Sequence, residues 1–281
     1  MAIPLKKVTD TSPFRKIAMG TWKVAKDPSV YGIINIDMAP VMEKLPAYIE
    51  KTGVKVTPAH LVGKAIAYCM TRRPEINGLI RGSRIYLREE ISLFYQVNIP
   101  AKTNEGGDKV GKATLAGATV HHADKLSSSE IAKDLSERAN KVRTGKDLEM
   151  KKNMDTFKLL PWWMSGLYLD FASFLIYGLN MNFSWLGIPK DPFGSVMITN
   201  VGSMGIDIAL APLCPYSRVP LLLAVGAIKD TAIVENGEVV VRPVMPIGVT
   251  FDHRMIDGVH AASMAKDFKK CFSEPETYLL T

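Results

Sequence analysis

Thr250-Phe251-Asp252-His253-Arg254-Met255-Ile256-Asp257-Gly258 follows an apolar, β-branched run from Val239 to Val249 and precedes an Ala-rich helical pattern that starts at Val259. The string therefore presents a histidine on a turn between a strand and a helix. An acid stands four residues later, with a glycine beside it. That layout suits a general base, because histidine is the side chain whose ordinary pKa lies nearest neutrality and a fixed neighbour can hold its ring. Asp257 is placed to orient or charge-stabilise the ring, and Gly258 to let the backbone turn tightly or approach closely. An isolated histidine there would read as a turn residue; the density of the Asp-His-Arg-x-x-Asp-Gly string turns the reading to chemistry.

Outward from this string, the C-terminal third reads as strand-rich. Gly194 to Thr199 and Leu221 to Ile228 are short apolar runs, and Glu235-Asn236-Gly237-Glu238 is a hairpin turn between Ala232-Ile233-Val234 and Val239-Val240-Val241. In the last helix Ala261, Met264, Ala265, Phe268 and Phe272 recur at helical spacing and form a core stripe. The first 150 residues alternate helix and strand. Helices are expected over Phe14–Lys26, Met42–Lys51 and Pro58–Arg72, and strands over Tyr31–Asp37, Ile91–Ile99 and Lys112–Val120. Ser127-Ser128-Ser129-Glu130 offers N-caps for a charged helix that runs to about Arg143. No Pro-, Gly- or Ser-rich linker divides the chain, so residues 1–281 are expected to form one domain.

One stretch departs from this texture. Between Lys158 and Lys190 the only charged residue is Asp170, and three tryptophans (Trp162, Trp163, Trp185) fall there with Tyr168, Phe171, Phe174, Tyr177 and Phe183. Its length would allow a membrane span, but Asp170 at mid-segment costs about 2.5–3.5 kcal/mol on insertion scales, and Pro161, Gly166 and Gly178 interrupt it. Two other readings remain: an interfacial pair of helices in weak contact with a membrane surface, or a segment packed on its own domain or a neighbouring subunit.

Four further stretches are colinear with the histidine string. They are Ser12-Pro13-Phe14-Arg15-Lys16-Ile17-Ala18; Val56-Thr57-Pro58 through Arg73-Pro74-Glu75-Ile76-Asn77; Met197-Ile198-Thr199-Asn200-Val201-Gly202-Ser203-Met204-Gly205; and Pro220–Gly226 with Glu235–Met245. Together they resemble the catalytic domain of 2-oxoacid dehydrogenase acyltransferases (dihydrolipoamide acyltransferases), over most of the chain. The resemblance implies a chloramphenicol acetyltransferase-like α/β fold, a two-layer mixed sheet with helices. It also makes residues 159–189 a hydrophobic helical insertion, because the family runs almost directly from the charged helix into the strand at Ile198-Thr199-Asn200.

The resemblance implies acyl transfer between coenzyme A and a dihydrolipoyl-type thiol. His253 then takes the thiol proton and Thr199 donates its hydroxyl to the oxyanion. Asn200 is expected to be structural. Asp257 is expected to support the loop and to pair with Arg15, as scaffolding that holds His253. In the family the site lies between subunits of a homotrimer, so His253 and Thr199 are expected to meet only across an interface. Family trimers also build larger cages through a hydrophobic C-terminus, which Tyr278-Leu279-Leu280 resembles. Lipoyl and subunit-binding domains are not seen in this sequence, so a lipoyl group is expected from another protein in trans, with no lipoyl attachment in this chain. Ala101 to Thr114 departs from the family's "T-x-x-G-L-x-x-P-V" pattern and is expected to reshape the acceptor side.

The net charge of +7 fits an acyl-CoA with its phosphates, or simply a basic solvated surface. No basic cluster interleaved with aromatics points to nucleic acid. Cys69, Cys214 and Cys271 cannot all pair and read as reduced thiols of a cytoplasmic protein, which the lack of a secretory h-region at the N-terminus also favours. No metal is expected: His121-His122, followed by Asp124, has no further spaced ligands, and adjacent strand residues point to opposite faces. His60 shows no evident partner, and His260 reads as a surface or interface residue. The residues of coenzyme A binding are not read from the sequence. The competing functional expectation is a structural oligomer core, derived from the same fold, whose catalysis is lost or secondary.

Overall fold

The longest strand, β11 (Glu238–Asp252), ends at the histidine string and organises the sheet around it. In a computed structural model, which describes residues 12–14, 16–17, 27–99, 102–103, 109–110, 114–144, 161–183 and 190–281, β11 pairs antiparallel along one edge with β1 (Ser29–Asp37). Along its other edge it pairs antiparallel with β9 (Leu221–Val225) and then β10 (Lys229–Glu235). Beyond β9 lie β8 (Val196–Asn200) and β4 (Leu93–Ile99), both added in parallel, and β7 (Thr114–Val120), antiparallel to β4. The result is one mixed sheet of seven strands. Two small hairpins stand apart, β2 (Gly78–Arg81) with β3 (Arg84–Leu87), and β5 (Lys102–Thr103) with β6 (Lys109–Val110).

Side-chain alternation along the central strands builds two layers. Leu221, Leu223, Val225, Ile198 and Met245 face a core shared with α1 (Ala39–Thr52), α2 (Pro58–Arg72), α3 (Ser128–Arg143) and α5 (Gly258–Ser273). Met197, Leu222 and Ala224 face the other way, against Ala209, Ala211 and Leu213 of the loop that follows β8. That loop lies directly on the sheet. A β-carbon at Gly248 would run into the carbonyl oxygen of Ala209, and one at Gly226 into that of Asp207. Thr250 Oγ1 holds the same loop by donating to Ala211 O at 2.7 Å.

Most sequence-derived elements are present, with small changes at their ends. The hairpin turn has Asn236 at φ 52° and Gly237 at φ 86°, the left-handed pair that a tight two-residue turn needs. Ser127 caps α3 by accepting from Glu130 N at 3.2 Å, while Glu130 Oε2 accepts from Ser127 N at 2.8 Å. The strand expected to reach Ile228 stops at Val225. Between the pairs Val225–Ile247 and Lys229–Val244 the β9–β10 edge carries one more residue than β11, a bulge at Gly226. Of the helix expected over Phe14–Lys26, residues 13–14 and 16–17 are helical and the remainder, Arg15 among it, lies outside the described residues, as does most of 101–113.

Leu279, just after α6 (Pro275–Tyr278), is fully buried in its own chain's core, and its carbonyl accepts from Ser128 Oγ at 2.6 Å. Tyr278 and Leu280, on either side of it, are half-buried against the same core.

Substituting Gly248→Ala should lower stability by about 1–3 kcal/mol, since the added methyl forces a backbone shift in the overlying loop. Urea unfolding would check this, with Gly32→Ala, where a β-carbon meets nothing within 4 Å, as the control for strand propensity.

Candidate active site

His253 sits on the turn that follows β11. Its backbone N–H donates to Pro28 O at 2.9 Å, which ties the turn to the chain entering β1. The turn is shaped by the preceding acid. Asp252, 7% exposed, accepts from Arg254 N at 3.0 Å and from the Arg254 guanidinium at 2.9 Å and 2.5 Å. That carboxylate is compensated as burial requires, and it holds the guanidinium of Arg254 charged. The His253 side chain itself is exposed, with its ring 6.2 Å from that of Phe251.

Asp257 acts elsewhere. It is the N-cap of α5: its carboxylate accepts from Val259 N and His260 N, each at 2.9 Å, and lies 2.8 Å from His260 Nδ1. The His260 backbone amide, then its ring, hold the Asp257 carboxyl below the usual range. None of its hydrogen bonds among the described residues goes to His253, so the expected acid–histidine pair is replaced by a helix cap, with His260 as the partner. Gly258 has no left-handed φ, and a β-carbon there would meet nothing within 4 Å. Arg15, the other expected partner, lies outside the described residues.

Thr199 lies at the other end of the sheet, half-buried on β8. It borders a cleft of about 570 Å³ with Thr57, His60, Tyr95, Gln96, Asn200 and Ser203 on its walls. Asn200 closes the turn after β8, its side chain accepting from Ser203 N at 3.1 Å. His60 is the residue in this cleft that sequence reading missed. Its Nδ1 accepts from Thr57 N at 3.1 Å, and burial pushes its pKa down to about 4. The signal was present as a histidine at the third helical position after Thr57-Pro58, where a side chain can reach back to the cap.

The register separates the two site residues. Thr199 is level with Ala224, and Ala224 with Gly248. His253 is five residues further along β11, which is about 17 Å of strand with about 10 Å of crossing over two strand spacings. A single chain thus holds His253 and Thr199 on the order of 20 Å apart.

His121 and His122 also differ from the alternating pattern expected. They lie in the turn after β7, with His122 at φ 51°, and both reach Glu90: His121 Nδ1 at 2.8 Å and His122 Nε2 at 3.6 Å. Among the described residues no group of three or more His, Cys, Asp or Glu is arranged to hold a metal ion.

The described residues form a mixed-sheet α/β domain with an exposed histidine on the turn after its longest strand. More particularly, the chain belongs to the family described as 2-oxoacid dehydrogenases acyltransferase (catalytic domain), which matches residues 6–155 and 193–280. The unmatched residues, 156–192, bracket the aromatic segment. Among similar proteins, the dihydrolipoyllysine-residue acetyltransferase component of the acetoin cleaving system of Bacillus subtilis (strain 168) is 26% identical over 235 residues, 84% of this chain and 46% of that protein. The dihydrolipoyllysine-residue succinyltransferase component of the 2-oxoglutarate dehydrogenase complex of Haemophilus influenzae (strain ATCC 51907 / DSM 11121 / KW20 / Rd) is 24% identical over 280 residues, 98% of this chain and 56% of that protein. The chain spans about half the length of the curated relatives it matches. In fold it resembles the crystal structure of a probable dihydrolipoamide acetyltransferase from Listeria monocytogenes 4b F2365, with a TM-score of 0.63, 17% identity, and 96% and 95% of the two chains covered.

Folded His60 binds a proton less readily than the unfolded side chain, whose pKa is about 6.5, so unfolding takes up a proton as pH falls through this window. Its contribution to stability is complete above about pH 6.5 and is lost progressively down to about pH 4. His60→Gln should remove that part of the acid destabilisation. Urea midpoints of both proteins between pH 7.5 and 4 would check it, the difference between the curves isolating His60 from the carboxylates.

Proposed function

We propose that this chain transfers an acyl group between coenzyme A and a dihydrolipoyl-type thiol, at a site shared by two chains of a homotrimer. The observation that carries this reading is the separation of His253 from Thr199 along the sheet. An exposed histidine on a rigid turn and a threonine at the mouth of a cleft have no common substrate within one chain. A second chain, related by the rotation of a closed ring, brings the histidine of one to the threonine of the next. The family's acyltransferase relatives and the basic charge support the choice of acyl-CoA as one substrate.

In this mechanism the imidazole of His253 accepts the proton of the incoming thiol, and the thiolate attacks the thioester carbonyl carbon. Negative charge passes to the carbonyl oxygen, where the Thr199 hydroxyl donates to it. The intermediate collapses by breaking the original C–S bond, and the departing thiolate recovers the proton from the His253 imidazolium. No covalent enzyme intermediate is needed when both thiols are bound together. Asp252 and Arg254 act as positioning residues by fixing the turn. The lipoyl group would come from a separate domain or protein, and the free thiols Cys69, Cys214 and Cys271 suit a reducing cytoplasm.

His253→Ala should slow acyl exchange between acetyl-CoA or succinyl-CoA and dihydrolipoamide by about 10²–10⁴-fold, and Thr199→Ala by about 10²–10³-fold. Each variant alone would be nearly inactive. Oligomers reassembled from an equal mixture should recover about a quarter of the wild-type sites, because each ring contact then pairs an intact histidine with an intact threonine in that fraction. Well-folded mixtures that stay inactive would overturn the shared site. Full activity in His253→Ala would overturn the base.

A further inference from the structure

The segment unmatched by the family holds a helical run: a 3-10 turn (Trp162–Met164), α4 (Ser165–Ser173) and a π turn (Phe174–Gly178). Its inner face is fastened to the body. Arg218 Nε donates to Ser173 Oγ at 3.2 Å, and Arg81 Nε to Tyr177 O at 2.6 Å. Tyr177 donates its hydroxyl to Asp191 at 3.0 Å, and Asp191 pairs with the buried Arg88 at 2.7 Å. The outer face is apolar and uncovered. Trp163, Leu167, Phe171 and Phe174, spaced four, four and three residues apart, share one side of the run and are 61, 67, 61 and 51% exposed. A fastened helix with an uncovered apolar stripe is the signature of an interface rather than of a loose segment. No helix among the described residues is long and apolar enough to cross a membrane.

Topology says where this stripe stands. The segment leads into the start of β8, and β8 and β9 run parallel, so it stands at the end of the sheet where β9 begins and β11 finishes. That is the His253 end, and α4 packs against the turn Pro215–Ser217 there. At the opposite end, just after Thr199, two apolar side chains are uncovered: Met204, which also lines the Thr199 cleft, is 54% and Ile206 43% exposed. The two surfaces flank the two halves of the site. Within one chain the length of the sheet keeps them apart. When His253 of one chain approaches Thr199 of another, they approach as well.

We infer that the Trp163–Leu167–Phe171–Phe174 stripe clasps the Met204–Ile206 turn of a second copy of this chain beside the shared site. The inference rests on the shared-site reading above. It adds a contact in which the stripe lies outside the family's matched residues and Met204 and Ile206 lie within them. The clasp is heterologous, one surface on each partner, and so repeats around a closed ring. Because it borders the site on both sides, it couples assembly to activity.

The test compares wild type with Leu167→Glu/Phe171→Glu and with Met204→Glu/Ile206→Glu, all at exposed positions. Sedimentation across a dilution series should show both variants dissociating at about tenfold or more higher protein concentration than wild type. In Leu167→Glu/Phe171→Glu acyl exchange should fall in parallel with dissociation and recover once the oligomer is restored at high concentration. A Leu167→Cys/Ile206→Cys chain treated with oxidised glutathione should give disulfide-linked dimers and trimers, each new disulfide releasing two equivalents of reduced glutathione. Unaltered assembly of both variants, with no cross-link, in a protein whose His253→Ala and Thr199→Ala forms do complement, would overturn the clasp and leave the shared site standing. Failed complementation would instead remove the shared site itself. Wild-type sedimentation with phosphatidylglycerol vesicles that is lost in Leu167→Glu/Phe171→Glu, with assembly intact, would also overturn the clasp and make a lipid surface the occupant.

Discussion

The pairing of β11 with β1 on one edge and with β9 and β10 on the other is the constraint on which the remaining structure depends. A strand of fifteen residues paired on both edges cannot slip, since a one-residue shift would turn Met245, Ile247 and Val249 out of the core. The point at which β11 ends is thereby set, and the histidine turn with it. Asp252 then uses Arg254 and the backbone to stop the strand, and Pro28 receives the His253 amide. The exposed histidine stands on a foundation of backbone pairing.

Close backbone approach does comparable work on the other face. Two glycines, Gly226 and Gly248, let the loop after β8 lie directly on the sheet, so that the chain returns from the Thr199 end toward the His253 end without a covering helix. One end of the sheet thus carries Thr199, His60 and a cleft, and the other carries His253 and the aromatic run. The length of its own strands separates His253 from Thr199.

Electrostatics plays a supporting part. The Asp257–His260 pair completes the cap of α5, and its direct contribution is helix termination rather than ring orientation. Burial keeps His60 neutral, which preserves the acceptor nitrogen that Thr57 uses. The Arg88–Asp191–Tyr177 chain binds the aromatic run to the hairpin of Gly78–Leu87, satisfying groups that burial would otherwise leave costly.

By itself the sequence determined the local elements and the family. Turn chemistry at Asn236-Gly237, the cap at Ser127, and apolar alternation in the strands are short-range signals, and short-range physics decides them. The histidine string stood out by its own density, whereas Thr199 was singled out only through the family resemblance, since a threonine in an apolar strand carries no local signal. What the tertiary structure alone decided is long-range. Asp257 faces His260 because capping geometry outcompeted the more distant ring of His253. Both His121 and His122 reach Glu90 because the chain leaves the strand there, ending the alternation. Leu279 fills its own core because three helices converge on it, a convergence that no stretch of sequence records. The distance between His253 and Thr199 follows from strand register, which is a property of paired chains and cannot be read from either strand alone.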